Sequence, residues 1–130
     1  MKSYRFLTKE RILQLHEEMV RRHGGALRIW DEGKLDAAVA APRASFGGVR
    51  AHDTLCEIAA AYWYHISQAH PFESANKRTA AYACVTFLRL NGYVVTCTNE
   101  ELAQIGYNIA TGEMTEKELS CWLEGYVSPI

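Results

Sequence analysis

The nine residues from His70 to Arg78 are the part of this sequence whose types and spacing can do chemistry. They read His-Pro-Phe-Glu-Ser-Ala-Asn-Lys-Arg. A histidine is a natural general base for a hydroxyl group near neutral pH, because its ordinary pKa lies close to that pH. Lys77 and Arg78 are adjacent cations, and cations close to a base suit a phosphate-bearing substrate. These residue types therefore indicate phosphoryl or nucleotidyl transfer.

The elements on either side place this segment at a helix N-terminus. An apolar helix is expected to end at or just before His70, because Pro71 stops it, and a second helix is predicted to begin near Ser74. The free N–H groups and the dipole of a helix N-terminus attract an anion. Lys77 and Arg78 oppose that dipole in the first turn, at a cost of about 0.3–1 kcal/mol each. Their position makes sense if a phosphate chain binds there. A structural interpretation also stays open, since a His-Pro pair followed by two solvated cations is common at helix ends.

Composition restricts the class of protein. The 130 residues are 48% hydrophobic and 22% charged, which predicts one globular domain over residues 1–130. The net charge of −1 argues against a broad basic surface for nucleic acid. Neither a membrane span nor a secretory signal is recognisable, so a cytoplasmic protein is expected. Residues 66–130 hold four Lys/Arg against seven Asp/Glu, and Lys77 and Arg78 are two of those four cations.

Hydrophobic spacing is helical along almost the whole chain and predicts an all-α fold. The strongest stripe begins at Leu55 and ends at Ile66, with Asp53 as its expected N-cap. Two capping boxes, starting at Thr98 and Thr115, open the last two helices. The prediction is a compact six-helix bundle whose third and fourth helices are central and flank the 70–78 segment. Residues 43–52 are expected to form a loop, and 93–98 is the only strand candidate.

The 70–78 segment resembles the signature of the Fic/Doc superfamily. Within it, the stretch Ala75-Asn76-Lys77-Arg78 is similar to the Doc (death-on-curing) toxin branch, whereas Fic AMP-transferases usually carry Gly-Asn-Gly-Arg. Those enzymes also have a second arginine three residues further on, where this chain has Ala81. Three more stretches look Doc-like, namely 21–25, 87–92 and 110–113. The resemblance implies the helical Fic/Doc fold over most of the chain.

The resemblance also implies a role for each residue of the motif. His70 would activate a Ser or Thr hydroxyl of a target protein, and Asn76 would orient the phosphates or the reacting group. Lys77 and Arg78 would hold the phosphates, together with the helix start at Ser74 and Ala75. Pro71 and Phe72 would be structural, with Phe72 inserted into the core. The family usually has an acidic residue or Asn at the position of Ser74 that helps to hold a metal ion, so any metal ligand here would be Ser74 or Glu73.

The implied activity is that of a type II toxin–antitoxin system. The protein would use ATP with Mg²⁺ to phosphorylate a translation factor, elongation factor Tu, and this would arrest protein synthesis. A cognate antitoxin with a disordered segment would fold on binding and neutralise the toxin. The alternatives are AMP transfer to a protein hydroxyl, as in Fic enzymes, and a catalytically silent binding protein. Ser74 motivates the second alternative.

The remaining candidate residues are expected to be structural. Ser120-x-x-x-Glu124-Gly125 matches a short self-inhibitory pattern of some Fic proteins. That pattern relies on a glutamate pairing with the second motif arginine, which is missing here, so a solvated last helix is the preferred explanation. His65 is expected to be a packed or surface residue, and no companions suggest metal binding for the other three histidines outside the motif, which are His16, His23 and His52. The four cysteines, in the absence of any C-x-x-C pair, are expected to be buried and reduced.

Overall fold

Six α-helices form the framework of the protein in a computed structural model that describes residues 3–130. The helices are α1 Lys9–His23, α2 Glu32–Ala40, α3 Leu55–Ala69, α4 Asn76–Leu90, α5 Asn99–Ala110 and α6 Glu116–Glu124. A short 3-10 helix, Ala41–Arg43, follows α2. The predicted six-helix, all-α fold is confirmed.

Helices α3 and α4 form the centre of the core. Eight consecutive or near-consecutive residues of α3 are buried, because their small and apolar side chains allow neighbouring helices to pack on several sides. Trp63 and Tyr62 are its largest fully buried side chains, and Phe87 of α4 packs against Tyr62 with ring centroids 5.3 Å apart. The other helices surround this pair, so the turn between α3 and α4 starts from a rigid foundation.

Two small antiparallel sheets supplement the helices. Strands β1 (Ser45–Phe46) and β2 (Val49–Arg50) form a hairpin inside the segment that the sequence predicted to be a loop. Its turn, Gly47–Gly48, has positive φ angles that glycine adopts without strain. The predicted strand is present as β3 (Tyr93–Val95), and its partner β4 (Val127–Pro129) was not predicted. Pairing partners so distant in sequence leave no local signal in a chain with little strand periodicity.

Side chains cap the starts of five of the six described helices. The N-caps are Thr8, Asp31, Thr54, Thr98 and Thr115, and the last three form complete capping boxes. The boxes at Thr98 and Thr115 are as predicted. The prediction of Asp53 as the α3 N-cap is wrong by one residue, because Thr54 has Glu57 three positions later and completes a box.

The start of α4 differs from the other helix starts. The sequence predicted a beginning near Ser74, but the helix begins at Asn76 with Ala75 as its N-cap. Ala75 makes no side-chain cap bond. The first-turn N–H groups of this helix are therefore left without the side-chain acceptor that the other described helices have.

The four cysteines form no disulfide bonds within residues 3–130. Only Cys84 is buried, so the expectation of four buried thiols is wrong for Cys56, Cys97 and Cys121. Among the helices of residues 3–130, none has the length and hydrophobicity that crossing a membrane requires.

Candidate active site

The turn from α3 to α4 is bounded by two residues in the left-handed conformation. His70 is the C-cap of α3, with φ 48° and ψ 54°, and its N–H donates to the carbonyl of Ile66. Ala75 has φ 64° and ψ 23°. These are the two non-glycine residues with positive φ among the described residues. Such a conformation costs an L-residue about 1–2 kcal/mol, so the surrounding contacts must hold the turn in place.

Asn76 supplies part of that restraint from inside the motif. Its side chain is buried, its Oδ1 accepts a hydrogen bond from the N–H of Phe72 at 2.9 Å, and its Nδ2 donates to the Phe72 carbonyl at 2.8 Å. Both groups of the amide are thus used to close the turn. Asn76 orients the site through the backbone of residue 72, and its amide points into the loop that carries His70.

A second chain segment, residues 26–31, lies alongside the turn and is bonded to it like a short strand. The contacts run in antiparallel order. Ser74 Oγ accepts from the N–H of Ala26 (2.7 Å) and donates to its carbonyl (3.2 Å), and the N–H of Glu73 donates to the Arg28 carbonyl (3.0 Å). Phe72 forms a β-bridge with Ile29, and the Pro71 carbonyl accepts from the N–H groups of Trp30 (2.7 Å) and Asp31 (3.1 Å). Every residue from Pro71 to Ser74 is therefore fixed by the segment after α1.

His16 and Phe72 anchor the turn in the core. Phe72 is fully buried, and its ring stacks on the imidazole of His16 with centroids 3.7 Å apart and planes 9° apart. The Nε2 of His16 lies 3.0 Å from the Ser74 carbonyl, so this nitrogen carries the proton and donates. Burial lowers the pKa of His16, although the bond to Ser74 opposes the shift. His16 is consequently a neutral support beneath the turn.

A cleft of about 730 Å³ opens above the turn and brings the motif residues together. His70 and the residues from Ser74 to Arg78 line one side, and α5 lines the other through Leu102, Ala103, Gly106 and Tyr107. His70, Lys77 and Arg78 are exposed, whereas Asn76 is buried beneath them. Pro71, Phe72 and Glu73 lie outside the lining, whereas Ser74 and Asn76 both hold the turn and line the cleft.

The charge in the cleft is positive. Neither Lys77 nor Arg78 forms an ion pair with a carboxylate of residues 3–130, and no Asp or Glu is among the lining residues. The N-terminal end of α4 adds its partial positive charge at the same place. An anion of several charges is the ligand that this combination favours.

The two residues predicted as metal ligands present poor donors to this cleft. The hydroxyl of Ser74 accepts from the Ala26 N–H and donates to the Ala26 carbonyl, so a single lone pair of a neutral oxygen is left. A Cβ at Gly25 would lie 2.4 Å from the same oxygen, which shows how closely the backbone surrounds it. Glu73 faces away from the cleft, with an Oε1 3.9 Å from Nη1 of Arg28. These residues do not fit a magnesium ion held by the protein, since Mg²⁺ favours carboxylate ligands.

Comparison with known proteins shows the family of the chain. Residues 6–88, more than half of the chain, match the model of the Fic/DOC family. The chain is also 33% identical over 111 residues to the protein kinase doc of Escherichia phage P1, an alignment that covers 85% of this chain and 86% of that protein. The chain belongs to the Fic/DOC family. A second member, Toxin Doc of Mycolicibacterium smegmatis, is 46% identical over 69 residues, or 53% of each chain.

Some cleft residues of this Fic/DOC chain were not assigned to the site from the sequence. His23, at the end of α1, and Tyr82 line the cleft, as do Asn99 and the face of α5. The spacing of Leu102, Ala103, Gly106 and Tyr107 places them on one face of a helix, and a glycine in that face leaves room beside it. Periodicity identifies this face, but only the fold shows that it lies opposite His70. Glu124 of the self-inhibitory pattern lies outside the lining.

Proposed function

We propose that this protein is a toxin that transfers the γ-phosphoryl group of ATP to a Ser or Thr hydroxyl of a target protein. The observation that carries the proposal is the N-terminus of α4. Among the α-helices of residues 3–130, it is the start without a side-chain cap; it bears Lys77 and Arg78, and it shares a cleft with His70. The kinase and toxin names of the two relatives support the same activity.

The residues of the cleft fit the phosphates of ATP. The uncapped N–H groups of α4 donate to phosphate oxygens, and Lys77 and Arg78 neutralise part of the phosphate charge. The bound nucleotide supplies the phosphoryl group: the bond between the γ-phosphorus and the β–γ bridging oxygen breaks, and ADP is the leaving group. His70 accepts the proton of the target hydroxyl as the oxygen attacks, and its fixed left-handed backbone keeps the imidazole at the edge of the cleft. Positioning and electrostatic stabilisation are the main contributions that phosphoryl transfer requires of a protein.

Two residues favour phosphoryl transfer over AMP transfer. Lys77 stands where Fic AMP-transferases usually have glycine, so its side chain occupies space next to the phosphate site. Ala81 lines the cleft at the position of their second arginine, and a methyl group holds no phosphate. We infer that the nucleotide binds here in a different orientation, with its terminal phosphate nearest to His70.

Magnesium has no carboxylate ligand in this cleft. A Mg²⁺ ion would therefore arrive bound to the phosphates of ATP, and Ser74 would contribute little to its affinity. The mechanism proposed for His70, Lys77 and Arg78 involves no protein-held metal.

Elongation factor Tu is the proposed target, and a cognate antitoxin is the proposed partner. The apolar face of α5 opposite the motif, with Tyr107 53% exposed, offers a surface for an amphipathic antitoxin helix. A helix bound there would cover the cleft and exclude both ATP and the target.

Induced expression in a bacterial host tests the proposal. The wild-type protein is expected to stop growth and amino-acid incorporation, and His70→Ala is expected to remove the effect without changing the soluble yield. Arg89→Ala, at the exposed opposite end of α4, is the control and should arrest growth like the wild type. Growth arrest that persists in His70→Ala would favour the silent binding protein and refute the enzyme.

A further inference from the structure

A cluster of three potential metal ligands lies outside the candidate active site. His52 follows β2, His65 lies in α3 and Glu116 is the first residue of α6. One ligand atom of each lies within 4.8 Å of those of the other two. The sequence predicted no such role, because 64 positions separate the first and last of these residues, and only the packing of α6 against α3 brings them together.

The donor atoms have the chemistry and the spacing of a zinc site. Nε2 of His65 lies 3.0 Å from Oε1 of Glu116, and Nδ1 of His52 lies 3.5 Å from Oε2 of the same carboxylate. Ligands of a tetrahedral zinc ion are separated by about 3.3 Å, given Zn–N and Zn–O distances near 2.0–2.1 Å. The ring centroids of the two imidazoles are 6.3 Å apart, and one nitrogen of each lies within 4.8 Å of the other, so the rings would rotate towards each other on binding an ion.

We propose that His52, His65 and Glu116 bind a divalent transition-metal ion of the zinc type. Two imidazoles and one carboxylate are a borderline-soft set that suits Zn²⁺ rather than Mg²⁺ or Ca²⁺. The side chains are 18%, 35% and 27% exposed, so an ion reaches them from solvent without opening the core. Three protein ligands leave the fourth position to water.

The nearby Glu57 does not complete the site. Its carboxylate accepts hydrogen bonds from the N–H groups of Thr54 and Asp53 in the α3 capping box. None of the three cluster residues lines the cleft that contains His70. The metal site is therefore separate from the proposed phosphoryl transfer and does not depend on it.

A metal ion here would connect three elements that are distant in the sequence. It would tie the segment after the β1–β2 hairpin to α3 and to the start of α6. Because the folded state presents the three ligands together and the unfolded chain does not, the ion is expected to stabilise the folded state.

Metal titration of the nucleotide-free protein tests the proposal. After treatment with a chelator, the wild type is expected to bind one Zn²⁺ per chain in calorimetry and to unfold at a higher temperature with Zn²⁺. Co²⁺ should bind in place of Zn²⁺ and give visible absorption bands without a thiolate charge-transfer band. His65→Gln and Glu116→Gln should each weaken binding by about tenfold or more, because each removes a ligand.

Two control variants exclude other binding sites. His23→Gln removes a cleft histidine, and Cys121→Ser removes the exposed thiol of α6, and both should bind Zn²⁺ like the wild type. If His65→Gln does not fold, His52→Gln, outside the helices, provides the same comparison. Absence of Zn²⁺ binding by the wild type, or equal affinity in the wild type and the cluster variants, would overturn the proposal.

Discussion

Asn76 lines the cleft and also holds the turn beneath it, through a buried side chain. Its amide forms hydrogen bonds with both backbone groups of Phe72, which follows the proline at the start of the turn from α3. His70 and Ala75 hold strained left-handed conformations on either side of this clamp. The arrangement indicates that a buried pair of hydrogen bonds sets the geometry of the turn that carries the candidate site.

Replacing Asn76 with alanine is expected to destabilise the protein markedly. The change leaves a buried N–H and a buried carbonyl of Phe72 without partners, at roughly 1–3 kcal/mol for each group. Denaturant unfolding should show a loss of about 2–6 kcal/mol in the free energy of unfolding.

Asn108→Ala provides the matched control, since this amide accepts an exposed hydrogen bond from Gln104. Its loss should be within about 0.5 kcal/mol of zero, as for most surface substitutions. Equal losses in the free energy of unfolding for the two substitutions would show that the Asn76–Phe72 hydrogen bonds do not stabilise the fold more than an exposed one does.

At the scale of the element, the two ends of α4 differ in whether their arginines suit the helix dipole. Arg78 lies in its first turn, where a cation is unfavourable, and Arg89 lies in its last turn, where a cation is favourable. An arginine that served only the stability of the helix would not be expected in the first turn, where Arg78 lies. This placement is explained if the cost is offset by an anionic ligand.

Arg78→Ala is therefore expected to raise the free energy of unfolding by about 0.3–1 kcal/mol in the absence of nucleotide, because an unfavourable charge is removed. The same variant should lose most of the thermal stabilisation that ATP gives the wild type. Differential scanning fluorimetry with and without ATP measures both effects.

The comparison with Arg89→Ala separates the two effects. This variant should be slightly less stable than the wild type and should keep the full response to ATP. A response to ATP that is unchanged in Arg78→Ala would contradict the assignment of the phosphate site.

The capping boxes make helix starts sensitive to acid. Hydrogen bonds from the N-cap residues lower the pKa values of Glu57, Glu101 and Glu118 below their ordinary value of 4.5. A carboxylate with a lowered pKa in the folded state stabilises the fold above its ordinary pKa, and that contribution disappears as the pH falls through the lowered value.

Stability is thus expected to decrease as the pH falls below about 4.5, and the double variant Glu101→Gln/Glu118→Gln should show a shallower decrease. Urea unfolding of both proteins between neutral and acidic pH measures the two slopes. Parallel slopes would indicate that the two carboxylates do not contribute to the acid sensitivity.

At the scale of the whole molecule, the sequence predicted those features that depend on residues close together in the chain. The stripe from Leu55 to Ile66 and the boxes at Thr98 and Thr115 predicted helices, and the charge pattern at Lys77 and Arg78 predicted an anion site. Each of these rests on contacts within a few residues of the chain, and the six-helix prediction follows from them.

Contacts between distant parts of the chain could not be predicted in this way. The pairing of residues 26–31 with the motif turn, the pairing of β4 with β3 and the approach of α5 to His70 all depend on packing. The Ser74 hydroxyl illustrates the difference: the sequence indicated a residue that binds phosphate or metal at a helix start, and in the fold the hydroxyl forms hydrogen bonds with the backbone of Ala26. The sequence indicated no further metal ligand near His52 or His65, because Glu116 lies close to them only when α6 packs on α3.

The central claim is that His70 and the α4 N-terminus transfer a γ-phosphoryl group, and labelled ATP tests it most directly. Purified protein would be incubated with elongation factor Tu and ATP labelled at either the γ- or the α-phosphate. The expected result is γ-label on the factor with the wild type, none with His70→Ala, and no α-label with either. Transfer of α-label would show AMP transfer instead, and γ-label that persists with His70→Ala would contradict the assigned base.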